Sequence, residues 1–321
     1  MHLMTRHRFP ALALCVAALA ACGAPESEPE PLPEAAGETA TGNFRGRVYE
    51  RNFVFTTLSG DSAFVVPWLM TAQTRPGGVH RRARGLLARG NSWDGFFDQR
   101  WDTPPTRIPW RILPHGSLRL VVREGDAVES VIFSEGQRQL ELELEGGSLM
   151  EWTGTRGQLY RLVEGAAYLS DQRVPGMILD MSRVHGADEA AHGDWAFLAS
   201  GDSLQVVLEN PTASAPGTVG GCRIWARLDF RDLQWPSVTL DWAELNAFQP
   251  ARQDVPVSWT VTSADPSFPL DGALQVQSAQ IQAGEGVGPV LPVDALFLVS
   301  GTLRLEGRTF PVRGLFRHTR P

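Results

Sequence analysis

Two stretches decide how this chain is read: Tyr160-Arg-Leu-Val-Glu-Gly165-Ala-Ala-Tyr-Leu169-Ser-Asp-Gln-Arg-Val-Pro175 and Leu296-Phe-Leu-Val-Ser-Gly301-Thr-Leu-Arg-Leu305-Glu-Gly-Arg-Thr-Phe-Pro311. Each places a glycine ten residues before a proline. Each reads as a strand, a tight turn (Ser170-Asp171-Gln172 or Glu306-Gly307-Arg308) and a second strand. Upstream, Ser59-Gly60-Asp61-Ser62 with Val65-Val66 matches Ser200-Gly201-Asp202-Ser203 with Val206-Val207. The two sets of matches come in the same order at nearly the same offset, so one β-unit has been copied.

Outward from these repeats, alternating or β-branched runs at 117–122, 127–133, 140–144, 205–208 and 273–276 are separated by Gly-, Pro- and Asp-rich turns. No amphipathic helix of three turns stands out. The best helical candidate, 81–89, is crowded with arginine and runs into Gly90-Asn91. The expectation is an all-β body of two tandem β-barrel or sandwich repeats, residues 44–184 and 185–321.

The chain opens with a basic region (His2, Arg6, His7, Arg8) and an apolar run over 11–21, a secretory signal too short to span a bilayer. Leu19-Ala20-Ala21-Cys22 is the pattern cut by lipoprotein signal peptidases, so residues 1–21 read as a leader and Cys22 as the acylated residue. Lipid on Cys22 would make the membrane a partner. Residues 22–43, rich in Pro, Glu and Ala, cannot bury enough apolar surface to order themselves and read as a tether. Gly23 is not Asp, so the expected location is the cell envelope, the outer membrane ahead of the inner, on its periplasmic or surface side.

Composition narrows the function classes. A net charge of −7 with no strongly basic window argues against nucleic acid as a partner. The chain has no lysine, which excludes Schiff-base and lysine-nucleophile chemistry. Cys15 leaves with the leader and Cys22 carries lipid, leaving Cys222 alone, a buried inert thiol rather than a nucleophile. There is no G-x-S-x-G elbow, H-E-x-x-H or phosphate-binding loop, and Gly284-Glu-Gly-Val-Gly288 reads as a hairpin connection. No cofactor is expected.

The segments Gly165-Ala-Ala-Tyr-Leu169, Pro175-Gly176-Met-Ile-Leu-Asp180, Gly193-Asp194-Trp195-Ala-Phe197-Leu-Ala-Ser-Gly201-Asp202-Ser203, Pro256-Val-Ser-Trp259 and Pro311-Val-Arg-Gly314-Leu-Phe-Arg-His318 resemble the tandem lipocalin-like family of AttH-type proteins and carotenoid 1,2-hydratases. The resemblance spans the whole body and implies two lipocalin-like β-domains. Hydratase-like members of that family have an Asp-His pair followed by Trp where one domain crosses to the next. Here that crossing reads Asp180-Met181-Ser182-Arg183, with His185 and His192 beyond it.

Candidate site residues follow from both lines. The chain has ten tryptophans and fifteen phenylalanines. Trp93, Phe96, Phe97, Trp101, Trp110, Trp195 and Trp259 are candidates for an apolar ligand, since rigid rings offer large contact area with few torsions to freeze. Asp180 with His185 or His192 is the candidate acid and base of a hydratase or lyase acting on an isoprenoid-like double bond. The segment with His185, Asp188, Glu189, His192 and Asp194 matches no standard metal-ligand spacing and reads as a solvated linker, so no metal is expected. Asp94 and Asp98 sit near Trp93 and Trp101, a pattern shared by glycosidase sites and ordinary β-loops. The leading expectation is an anchored protein that binds an apolar small molecule such as a lipid or isoprenoid. The alternatives are a hydratase or lyase and a non-catalytic envelope interaction module; enzymatic activity is left open, with non-catalytic binding preferred.

Overall fold

The computed structural model describes residues 46–57, 63–123, 127–170, 172–187, 189, 193–210, 221–263, 265 and 267–320. The leader, Cys22, the tether and His192 lie outside the described residues. Antiparallel strands β1 (Arg47–Thr57), β2 (Phe64–Arg75), β3 (Gly78–Arg89), β4 (Ser92–Thr103), β5 (Leu118–Val122), β6 (Val128–Glu135), β7 (Arg138–Thr153), β8 (Leu159–Leu169) and β9 (Gln172–Gly186) form one curled sheet. Its order is β4-β3-β2-β1-β9-β8-β7-β6-β5, and it stays open between β4 and β5. Strands β10 (Gly193–Ser200), β11 (Leu204–Asn210), β12 (Cys222–Leu228), β13 (Arg231–Phe248), β14 (Gln253–Ser263), β15 (Leu270–Ala283), β16 (Val293–Leu305) and β17 (Arg308–Arg320) form a closed barrel, β17 returning to pair with β10. The fold is all-β and lipocalin-like. Residues 81–89 belong to β3.

The copied segments occupy equivalent places. The hairpin β8–β9 delivers β9 to β1, as β16–β17 delivers β17 to β10. The repeated glycine has one physical cause at both positions: a Cβ on Gly165 would lie 2.6 Å from the Glu143 carbonyl oxygen, and one on Gly301 would collide with that of Ala273. The β16–β17 turn puts Glu306 and Gly307 at φ of 50° and 73°, the left-handed pair that a two-residue hairpin requires.

Three apolar clusters hold the body together. Inside the barrel, Trp259 stacks on Phe316 with ring centroids 4.0 Å apart and meets Phe297 edge-on. Inside the open sheet, Phe53, Phe55, Trp68, Phe96 and Phe133 pack together. The third cluster is the seam: Val54, Leu69, Leu86, Leu162 and Leu179 of the sheet meet Phe197, Val207, Leu296 and Leu315 of the barrel. Strand β1 therefore buries both faces, which explains its unbroken run Phe53-Val54-Phe55.

Polar groups bracket the seam. Asp294 of β16 accepts from Arg317 Nε at 2.9 Å and from Arg84 Nη1 of β3 at 3.2 Å. Glu209 accepts from the Thr155 amide and hydroxyl at 3.1 and 3.0 Å. Trp93 Nε1 donates to Ser278 Oγ. Burial pushes the Asp294 carboxyl up, but Arg317 and Arg84 outweigh it and leave the group below its usual value. Glu50 behaves likewise, with burial overcome by His185, Arg317 and Arg183. His185 is raised, the neighbouring Glu50 carboxylate outweighing burial.

Two outcomes are expected. Trp259→Ala should destabilise the chain by about 3–5 kcal/mol in denaturant unfolding, because it removes the stacked centre of the barrel. The seam groups also set a pH window. Asp294 and Glu50, with lowered values, contribute stability that is present above their ordinary values of 3.8 and 4.5 and is lost as pH falls through the folded ones. His185, with a raised value, contributes below its ordinary 6.5 and loses that contribution as pH rises through the folded one. Unfolding midpoints should therefore fall on both sides of that window. In His185→Gln the alkaline decline should flatten; an unchanged decline would remove His185 as its source.

Candidate functional site

Strand register builds a wall across the open sheet. Val184 of β9 pairs with Tyr49 of β1, Tyr49 with Ala72 of β2, Ala72 with Arg81 of β3, and Arg81 with Trp101 of β4. A second row runs Ser182, Arg51, Met70 and Ala83. Residues paired across strands share a face, so these side chains line the concave side together. The strandless segment 104–117 brings Trp110, Ile112 and Leu113 against this wall, and a cavity of about 240 Å³ lies between them. Trp110 and Val184 are half exposed at its rim. His115 stacks flat on Trp101 at 4.5 Å, and the Tyr49 and Trp110 rings lie 6.1 Å apart.

Arg81 ties strand to cap. Its Nε donates to Thr103 Oγ1 at 3.2 Å and its Nη1 to the Arg111 carbonyl at 2.8 Å. The residue is 3% exposed, and its Nη2 has no partner among the described residues. Burial pulls its pKa below the usual guanidinium value.

Asp180 also faces inward on β9 and is buried. It accepts from Arg51 Nε and Nη2 at 3.2 and 2.9 Å and from Arg161 Nη2 at 2.8 Å. It lines a neighbouring cleft of about 510 Å³ with Arg161, Glu151, Trp152 and Leu159, and this cleft shares Arg51 and Ser182 with the first. The expected pairing of Asp180 with His185 is not assembled. The two lie five positions apart on one strand, so their side chains leave opposite faces. His185 Nε2 lies 3.5 Å from Glu50, and its Nδ1 lies 2.8 Å from the Gly186 carbonyl oxygen.

The aromatic candidates divide. Trp101 and Trp110 line the cavity. Phe96 and Phe97 are core, their rings 5.2 and 5.5 Å from Trp68. A bulge opposite Gly85 and Leu86 lets both consecutive phenylalanines turn inward. Trp93 and Trp195 pack at the seam, and Trp259 fills the barrel. Asp94 and Asp98 pair with Arg138 and Arg82 on the surface. Cys222 is buried, and burial pushes its thiol pKa up, as suits an inert group. Among the described residues no cluster of three or more His, Cys, Asp or Glu could hold a metal.

Sequence reasoning did not single out Tyr49, Arg51, Arg81 or Ile112. It also placed Asp194 in a solvated linker, whereas barrel closure buries it against His318. The Nδ1–Oδ1 distance is 2.6 Å and neither side chain is exposed. Trp242 meets His318 edge-on at 5.3 Å. His318 Nε2, Asp194 Oδ2 and Trp242 Nε1 have no partner among the described residues. One available signal was parity: Phe310, Val312 and Phe316 put even positions of β17 inside the barrel, and His318 continues the series.

No protein-family model and no curated protein sequence matches this chain. Solved structures similar to it include kievitone hydratase from Nectria haematococca, at 13% identity and a TM-score of 0.54, covering 85% of this chain and 88% of that one. They also include an AttH-like protein from Nitrosomonas europaea, at 11% identity and a TM-score of 0.52, covering 90% and 98%. The likeness is one of fold: this chain shares the lipocalin-like architecture of both.

Proposed function

We propose that this protein binds an apolar small molecule, of lipid, isoprenoid or aromatic character, in the cavity of the open sheet, and that lipid on Cys22 holds it to the cell envelope. The observation that carries this reading is the cavity itself, walled by Tyr49, Met70, Trp101, Trp110 and Ile112 with half-exposed apolar groups at its rim. Concave apolar pockets with a few convergent polar groups are the usual form of small-molecule sites. The larger cleft of about 720 Å³, lined by Thr56, Thr57, Arg89, Asn91, Gln277 and Arg313 among others, offers a more polar setting.

The test uses the full chain carrying Cys22→Ser, titrated with hydrophobic dyes and analysed for co-purified lipid by mass spectrometry. Saturable uptake is expected, and Trp110→Ala should weaken it about tenfold, roughly 1.4 kcal/mol. Absence of uptake together with absence of co-purified ligand would end this reading. The wild-type chain should fractionate with membranes, and Cys22→Ser should release it.

A second reading, hydratase- or lyase-type catalysis, is favoured by the Asp194–His318 pair and by the fold shared with a hydratase. With the Asp194 carboxylate on Nδ1, Nε2 is the ring nitrogen without a partner among the described residues, and a carboxylate-oriented imidazole is the kind of acid–base group that water addition to a double bond requires. Incubation with kievitone should then yield a product heavier by one water, and His318→Gln should abolish it. Product formed by His318→Gln at the wild-type rate would rule the pair out.

A further inference from the structure

Arg81 is the group that apolar packing leaves unused. Taking a guanidinium out of water is costly unless a counter-charge receives it. Elsewhere this fold supplies one: Arg51 and Arg161 share Asp180, Arg84 and Arg317 share Asp294, and Arg183 reaches Glu189. Arg81 has only two neutral acceptors, the Thr103 hydroxyl and the Arg111 carbonyl, and no carboxylate pairs with it among the described residues. Its third nitrogen, Nη2, is buried and has no hydrogen-bond partner among the described residues. This uncompensated cation stands in the wall of the 240 Å³ cavity, beside Met70, Trp101, Trp110 and Ile112. Arg51, the neighbouring guanidinium on that wall, is paired with Asp180, a carboxylate it shares with Arg161.

We infer that the cavity selects molecules whose apolar body ends in a carboxylate, which docks on Arg81 and supplies the charge that the fold withholds from it. This rests on the cavity being the ligand site. With Nε and Nη1 donating to the chain, the unpartnered Nη2 is the nitrogen left to meet one small monoanionic group, which reaches it once the overlying cap side chains shift. A charge-assisted bond from a buried guanidinium is about twice as strong as a neutral one, so the preference for the anion should be large. The same contact would link ligand to cap, because Arg81 also holds the segment that carries Trp110.

The experiment compares 2-naphthoate with 2-naphthylmethanol, which share one ring system and differ in charge, by calorimetric titration of the full chain carrying Cys22→Ser. Naphthoate should bind at least about tenfold more tightly at neutral pH. That advantage should vanish as pH falls through the carboxyl pKa of the ligand, near 4. Arg81→Met, which keeps the apolar stem, should bring the two affinities within about twofold, and Arg81→Lys should keep part of the difference. Equal affinities in the unsubstituted cavity, or a preference that survives Arg81→Met, would overturn the inference while leaving the cavity as a ligand site. Failure of both probes to bind, with Trp110→Ala also without effect on dye uptake, would instead overturn the cavity reading and this inference with it. Should Arg81→Met fail to fold, the pH dependence of the naphthoate preference decides alone.

Discussion

The apolar seam between the open sheet and the barrel is the constraint on which the rest of the molecule depends. Val54, Leu69, Leu162 and Leu179 turn one face of the sheet toward Phe197, Val207, Leu296 and Leu315. Because side chains alternate along a strand, committing one set to the seam sends its neighbours to the concave side. Tyr49, Arg51 and Phe53 therefore face inward because Val54 faces the barrel. The cavity wall and the seam are two faces of the same strands.

The two β-units resolve an antiparallel meander differently. The second closes, and its centre is filled by Trp259, Phe297 and Phe316. The first remains open between β4 and β5, with Phe96, Phe97 and Trp68 filling one part of its interior. Beyond that layer, β2 and β3 present Met70, Ala72 and Ala83 in place of large rings, and space is left for the cavity between them and Tyr49, Trp101 and Trp110. Small residues on the wall and a strandless cap turn an ordinary β-interior into a pocket.

Charge is handled with the same economy. Asp180 and Asp294 each gather two guanidiniums, an arrangement that offsets desolvation on both sides. Against that pattern, Arg81 and the Asp194–His318 pair are buried and, like Arg183 and His185, keep polar atoms without a hydrogen-bond partner among the described residues. Such departures from full satisfaction concentrate where a structure has work other than stability to do.

The all-β class, the strand–turn–strand character of the two matched segments and the burial of Cys222 were legible in the residues alone. These follow from local causes: period-two alternation, turn residues, and glycines that a neighbouring backbone crowds, as at Gly165 and Gly301. The candidate site was only partly legible. Trp101 and Trp110 were visible as aromatic residues, but nothing local separated them from Phe96, Phe97 and Trp259, which became core. Asp180 and His185 looked like neighbours, yet strand parity divided them. Arg81 read as one more basic residue in a crowded run. Asp194 and His318 are 124 positions apart and meet only because β10 and β17 close the barrel. Which face a strand buries, and which distant strands become neighbours, depend on contacts that no local window contains, so tertiary structure alone decided them.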